Sequence, residues 1–167
     1  MEQTKLIVYY SLEGNTDYAA KRIAEKAGAD LLRLVPKKAY KDKGFAKFVW
    51  GGRSAMMGEK PELEDYEVDF SQYDDIILGF PVWAANIAPP LRTFVDAHRE
   101  QIRSKTVSAF ACQSGRGAEK AFAKLKAALG VDAFAAEAVF IDPKARQSKE
   151  TDEAIDAFCE ALDPQAR

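Results

Sequence analysis

The run Lys5-Leu6-Ile7-Val8-Tyr9-Tyr10 is apolar at nearly every position, and a short polar stretch separates it from Tyr18, Ala19, Ile23 and Ala27 at helical spacing. This pattern predicts a strand, a hydroxyl-rich loop and a helix over Asn15–Ala27, closed by Gly28 as a C-cap. Leu31-Leu32-Arg33-Leu34-Val35 reads as a second strand stopped by Pro36. Asp75-Ile76-Ile77-Leu78-Gly79-Phe80 is a continuous apolar run of the kind found in fully buried parallel strands. Pro89-Pro90 opens a helix expected to end near His98. A strand over 106–111 and a helix through Phe122, Leu125 and Leu129 follow, closed by Gly130. The series ends with a strand over 133–141 and a helix whose apolar face is Ala154, Ile155, Phe158 and Leu162.

Five strands alternating with five helices imply an α/β three-layer, doubly wound sandwich with a parallel sheet, because right-handed crossovers put helices on both faces. In such a sheet ligands bind beyond the carboxyl ends of the strands, where the strand order reverses. For a five-stranded sheet of order 2-1-3-4-5 the reversal lies between strands one and three. Three loops then converge there: residues 11–16, the loop opening at Pro81, and the loop running from Cys112 to Gly117.

The first loop, Ser11-Leu12-Glu13-Gly14-Asn15-Thr16, precedes a helix whose first N–H groups have no intrahelical partner, with the positive end of the helix dipole behind them. That is a site for an anion, or equally an ordinary N-cap, since Ser, Thr and Asn are the preferred capping residues. Neither G-x-x-x-x-G-K-[ST] nor G-x-G-x-x-G is present. Neutral donors and backbone amides suit one phosphate monoester better than a triphosphate with its metal. The second loop, Pro81-Val82-Trp83-Ala84-Ala85-Asn86, offers a large aromatic, and the third, Cys112-Gln113-Ser114-Gly115, a glycine-bearing turn. A flat ring with a phosphate tail matches the set. Trp83 also reads as core packing, the usual fate of a lone tryptophan.

Composition narrows the picture further. At 167 residues the chain fits one domain over 1–167, and a formal charge of -2 carries no basic excess of the kind a nucleic-acid partner would demand. No apolar run approaches membrane-spanning length, so no membrane partner is expected. The first residues lead straight into a strand rather than a signal peptide, which makes a cytoplasmic protein the expectation. Cys112 and Cys159 form no C-x-x-C pair, so neither zinc nor a dithiol is suggested, and both read as reduced, partly buried thiols. His98, beside Arg99 and Glu100, reads as a surface or capping residue. Residues 36–60 are basic, with interleaved aromatics, and read as a solvated helix with an apolar inner face or as a nucleic-acid surface. The acidic stretch Glu62-Leu63-Glu64-Asp65-Tyr66-Glu67-Val68-Asp69 is their counterweight.

Through Tyr10-Ser11-Leu12-Glu13-Gly14-Asn15-Thr16 and Gly79-Phe80-Pro81-Val82-Trp83 the chain resembles the flavodoxin family, in a short form without an insertion in the last strand. The resemblance covers nearly the whole chain. It implies the sheet order 2-1-3-4-5, for which FMN at the switch point between strands one and three is the standing example of the crevice rule. It also implies a cofactor role for each loop: Ser11, Leu12, Glu13, Gly14, Asn15 and Thr16 on the FMN phosphate; Pro81, Val82, Trp83, Ala84, Ala85 and Asn86 flanking the ring, with Trp83 stacked on it; and Cys112, Gln113, Ser114 and Gly115 at the pyrimidine edge. No side chain is assigned a catalytic role and no metal is implied.

Two residues depart from the family pattern. Ala84 stands where flavodoxins often have a glycine whose peptide turns over as the flavin takes one electron, and alanine resists the positive φ this uses. Arg116 stands beside the third loop, where a cation stabilises negative charge on the reduced ring. The expected function is an FMN-binding electron-transfer protein serving redox partner proteins or small quinone-like acceptors, as a monomer or weak homodimer. The alternative is an FMN-dependent NAD(P)H:quinone-type oxidoreductase, toward which Ala84 and Arg116 tilt. A receiver domain is set aside because Tyr9-Tyr10-Ser11 and Phe80-Pro81 stand where its acidic residues belong.

Overall fold

A computed structural model describes residues 4–40 and 58–163. Strands β1 (Lys5–Tyr9), β2 (Ala29–Arg33), β3 (Asp75–Pro81), β4 (Thr106–Gln113) and β5 (Glu137–Ile141) form one parallel sheet in the order β2-β1-β3-β4-β5. Helices α1 (Asn15–Ala27), α2 (Pro89–Arg103), α3 (Ala118–Leu129) and α4 (Lys149–Leu162) cover its faces. The helix expected within residues 36–60 falls largely on 41–57, outside the described residues. Among the described residues no helix is long and apolar enough to cross a membrane.

The continuous apolar runs follow from burial on both sides. Along β1 and β3, Leu6, Val8, Ile76, Leu78 and Phe80 point into one layer with Leu91, Phe94 and Val95 of α2 and Phe122 and Leu125 of α3. Their neighbours Ile7, Tyr9 and Ile77 point the other way, against Ala19, Ala20 and Ile23 of α1 and Ile155 and Phe158 of α4. Each fully buried large side chain contributes roughly 1.5–3 kcal/mol of transfer free energy, so the central strands anchor both layers. Gly79 interrupts the β3 run for a steric reason: it pairs with Phe110 in the ladder, and a Cβ there would clash with the tip of the Phe110 ring, at its Cζ.

Edges depart from the sequence expectation more than centres do. β2 spans Ala29–Arg33 rather than 31–35, because its ladder with β1 ends where Tyr9 pairs with Arg33. Leu34 then donates to the Tyr9 carbonyl at 2.8 Å and the chain leaves the sheet, with Leu31 and Val35 both 41% exposed. β5 begins at Glu137 rather than 133, since its ladder starts opposite Ala109 and residues before it make only isolated bonds, such as Ala135 N–H to the Val107 carbonyl. α2 runs on to Arg103, drawn by the buried Ile102, with a kink at His98 (φ −124°, ψ 23°). His98 is not a surface or capping residue but half-buried on Phe94, ring centroids 4.7 Å apart, with Nε2 2.7 Å from the Tyr66 hydroxyl. Burial pushes its pKa down.

A polar lock seats α1 on the sheet. The Tyr9 hydroxyl donates to Asp17 at 2.6 Å, Arg33 from β2 donates to the same oxygen at 3.3 Å, and Lys21 reaches the other oxygen at 2.9 Å. Burial of the Asp17 carboxyl acts to raise its pKa, but the Tyr9 hydrogen bond with Lys21 and Arg33 outweighs it and holds the pKa below the ordinary 3.8.

Two outcomes follow. Gly79→Ala should cost about 1–3 kcal/mol by overpacking against Phe110, read as a lower urea midpoint at unchanged m-value. Because Asp17 is depressed in the folded state, its lock contributes fully above the unfolded carboxylate pKa and is lost as pH falls through the folded value. Asp17→Asn should therefore lower Tm at pH 7, and the gap to the parent should close toward pH 2.

Candidate functional site

A cavity of about 460 Å³ lies beyond the carboxyl ends of β1, β3 and β4. Its floor is the start of α1. Gly14 (φ 105°) is the N-cap residue, and the tight turn it makes aims the helix end at the cavity. The Ser11 hydroxyl accepts the Asp17 N–H at 3.0 Å, so Ser11 does act as a cap. The amides of Asn15 and Thr16, in the first turn, have no intrahelical partner. Thr16 is 1% exposed, lines the cavity, and its Oγ1 has no hydrogen-bond partner among the described residues. An orphaned buried hydroxyl costs about 1–3 kcal/mol, which makes this the most conspicuous polar atom of the site.

Cys112 faces Thr16, but a thiol is a weak hydrogen-bonding group and does not satisfy that hydroxyl. Burial pushes the Cys112 pKa up to about 12, so at neutral pH it is a protonated, inert thiol. Its partners in the third loop are ordered by the protein itself. Gln113 Oε1 accepts the Ala118 N–H at 3.0 Å and so caps α3, while the Ser114 hydroxyl donates to Asp142 at 2.8 Å. Gly115 and the exposed Arg116 complete this wall.

The wall opposite is a two-residue hairpin. Trp83 N–H donates to the Asn86 carbonyl at 3.3 Å and Asn86 N–H returns to the Trp83 carbonyl at 3.0 Å, with Ala84 (φ 51°) and Ala85 (φ 56°) between them. Positive φ at both central residues is the signature of a type I′ turn, ordinarily the place of Asn-Gly. Ala84 adopts the left-handed region that alanine ordinarily resists. The surroundings impose the conformation. Lys124 donates to the Ala85 carbonyl at 3.3 Å, and Ala85 packs so closely on Gly117 that a Cβ there would meet its Cα at 3.0 Å. Trp83 is half-buried, lines the cavity, and is held by T-shaped contacts with Tyr10 (5.6 Å) and Tyr40 (5.2 Å).

Of the sixteen residues singled out in the sequence, Ser11, Leu12, Glu13, Asn15, Thr16, Pro81, Val82, Trp83, Ala84, Cys112, Gln113, Ser114 and Gly115 line this cavity. Gly14 lies under it, and Ala85 faces an adjoining cavity. Asn86 turns inward, 7% exposed, its Oδ1 accepting from Ile87 N–H at 3.1 Å and from Arg92 at 2.8 Å. The sequence reading missed the loop after β5. Asp142 lines the cavity at φ 39°, and Asn15 Oδ1 accepts the N–H groups of Lys144 (2.9 Å) and Ala145 (3.1 Å). The dipeptide Asp142-Pro143 marks a turn there, but no motif points from it to the first loop.

Left-handed alanine costs about 1–2 kcal/mol, and glycine returns roughly half of that as unfolded-state entropy. Ala84 is exposed and loses no packing on truncation, so Ala84→Gly should stabilise the ligand-free protein by about 0.5–1 kcal/mol, raising its Tm by a few degrees.

Three solved structures share this fold. A candidate flavoprotein from Bacteroides eggerthii DSM 20697 is 22% identical, with a TM-score of 0.77 over 99% of each chain. A flavoprotein from Lactobacillus acidophilus NCFM, crystallised in complex with FMN, is 22% identical with a TM-score of 0.69 over 91% of this chain and 98% of that one. A WrbA-like flavodoxin protein from Agrobacterium tumefaciens is 16% identical with a TM-score of 0.60 over 99% of each. The family model described as flavodoxin matches residues 4–162, which takes in every element of the sheet and all three loops, and the chain belongs to the flavodoxin family.

Proposed function

We propose that the cavity holds FMN and that the protein works as an electron carrier between redox partners. One observation carries the assignment of the site: the buried, unpartnered Thr16 hydroxyl stands at a helix N-terminus on the cavity floor, where it and the free amides form a donor set awaiting an anion. The residues present fit the group. Residues 11–16 would hold its phosphate, Trp83 its ring, and Cys112, Gln113, Ser114 and Gly115 its pyrimidine edge. The FMN complex of the Lactobacillus acidophilus protein, with the same fold, supports this choice of cofactor.

Bound FMN supplies reversible uptake of one or two electrons, and the protein's part is binding, orientation and electrostatics. The hairpin 83–86 holds Trp83 in place and keeps the turn backbone rigid beside the ring. Arg116 at the mouth offers positive charge where negative charge develops on reduction. Burial keeps Cys112 protonated, which makes it a poor nucleophile beside the site.

A second reading, an NAD(P)H-dependent quinone-type reductase, is favoured by one feature. A further cavity of about 890 Å³ adjoins the first and shares Gln113 and Arg116 with it, leaving room for a second substrate. Steady NAD(P)H oxidation with a quinone by the purified protein alone would select the reductase, and dependence on a separate reductase protein would select the carrier.

The purified protein reconstituted with FMN should show an oxidised-flavin spectrum at one flavin per chain. Thr16→Val should weaken FMN binding about 10- to 100-fold, the loss expected for one hydrogen bond to a charged group. Because that hydroxyl is orphaned without ligand, the same substitution should leave the ligand-free Tm unchanged or higher. Unchanged FMN affinity would return the loop to the role of a cap.

A further inference from the structure

We infer that Lys144 supplies the positive charge that the first loop lacks, and that this lysine makes the site prefer a phosphorylated flavin over riboflavin. The inference rests on the FMN reading above and adds a residue and a selectivity to it. Residues 11–16 contain no lysine or arginine, and their one charged side chain is the carboxylate of Glu13. A phosphate monoester carries about −1.5 to −2 at pH 7, so neutral donors leave much of that charge uncompensated.

The chain returns to this loop from far away in sequence. After β5, Asn15 Oδ1 accepts the backbone N–H of Lys144 and of Ala145, at 2.9 and 3.1 Å. This clamp fixes the backbone at 144 against the first turn of α1. The Lys144 side chain then lies over Gly14: a Cβ on Gly14 would meet its Nζ at 2.9 Å and its Cδ at 3.1 Å. Gly14 joins Glu13 to Asn15, and both line the cavity.

Two features say that this ammonium group awaits an anion. It sits at the N-terminal end of α1, where the helix dipole disfavours a cation and favours a negative charge. Its neighbour in the loop, Arg146, is paired with Asp142, whereas Lys144 has no ion pair with a described carboxylate. The orphaned Thr16 hydroxyl, 1% exposed, independently marks the same helix end as a place for an acceptor. Lysine suits the role, since its flexible stem can carry the charge the last few ångströms without moving the clamped backbone. Asn15 acts as a positioning residue through its carbonyl oxygen.

The test compares FMN and riboflavin binding to ligand-free protein, by quenching of flavin fluorescence at low and at 0.3 M salt. Lys144→Met should weaken FMN about tenfold at low salt, less at ~0.3 M because an exposed pair is screened, and should leave riboflavin affinity unchanged. Lys144→Arg should retain most of the FMN affinity. Equal losses for both flavins in Lys144→Met would assign the residue a structural role and overturn the inference. So would an FMN affinity unchanged by Lys144→Met where the parent binds FMN, and that result leaves the FMN reading standing. A parent protein that takes up no FMN would overturn both.

Discussion

The first turn of α1 exposes more hydrogen-bond donors than the protein satisfies, and much of the molecule keeps that turn where it is. A helix end can face a cavity only if the helix is held from behind. Asp17 does this, binding the Tyr9 hydroxyl in β1 and Arg33 in β2 at once. Arg33 also donates to the Ser11 carbonyl at 3.3 Å, so the same side chain steadies the loop in front of the helix. The parallel sheet supplies the geometry: the loops after β1, β3 and β4 all open at the carboxyl edge of the sheet around one cavity, and the loop after β5 is tied back to this turn through Asn15.

How much of this is legible in sequence follows from where constraint is strongest. The central strands are buried on both faces, so their apolar runs are unambiguous, and α1 is bounded by a loop and by Gly28 at the residues expected. Edge strands have a neighbouring strand on one side only, so Leu31, within β2, and Val35, past its end, read as part of a buried run while both stand 41% exposed. Inside the site, the three loops could be read because each follows a buried run. The direction of the Asn86 side chain could not, because it depends on Arg92, and the part played by Lys144 depends on a clamp 129 positions away. His98 shows the same limit: its polar neighbours in sequence suggest the surface, whereas its neighbours in space are Phe94, Phe70 and Tyr66.

Several of the local irregularities among the described residues gather at the rim of the cavity. Natural sequences are locally consistent with their folds, and departures concentrate where function requires them. Here Thr16 buries a hydroxyl without a partner, Ala84 and Ala85 occupy the left-handed region, Asp142 does so at φ 39°, and Lys144 points a cation at the positive end of a helix. Among the described residues, the left-handed ones outside this rim are Gly28, Gly58 and Gly130, for which that conformation is inexpensive.

These departures differ in what a ligand would do for them, and the difference separates recognition from support. An anion at the end of α1 would satisfy Thr16 and turn the position of Lys144 from unfavourable to favourable, so recognition is the part proposed for both. No ligand can relieve the positive φ of Ala84, Ala85 or Asp142, because that strain is internal to the backbone. It persists because surrounding contacts over-determine it: the reciprocal bonds of Trp83 and Asn86, the Lys124 bond to Ala85, and the Asp142 N–H bond to the Gln113 carbonyl at 3.1 Å. These contacts fix the turn of the second loop, and tie the loop after β5 to the third, before any ligand arrives. A stiff wall beside a flat ring lowers the ordering cost of binding, and it leaves the electrostatic work to the one wall where donors remain free.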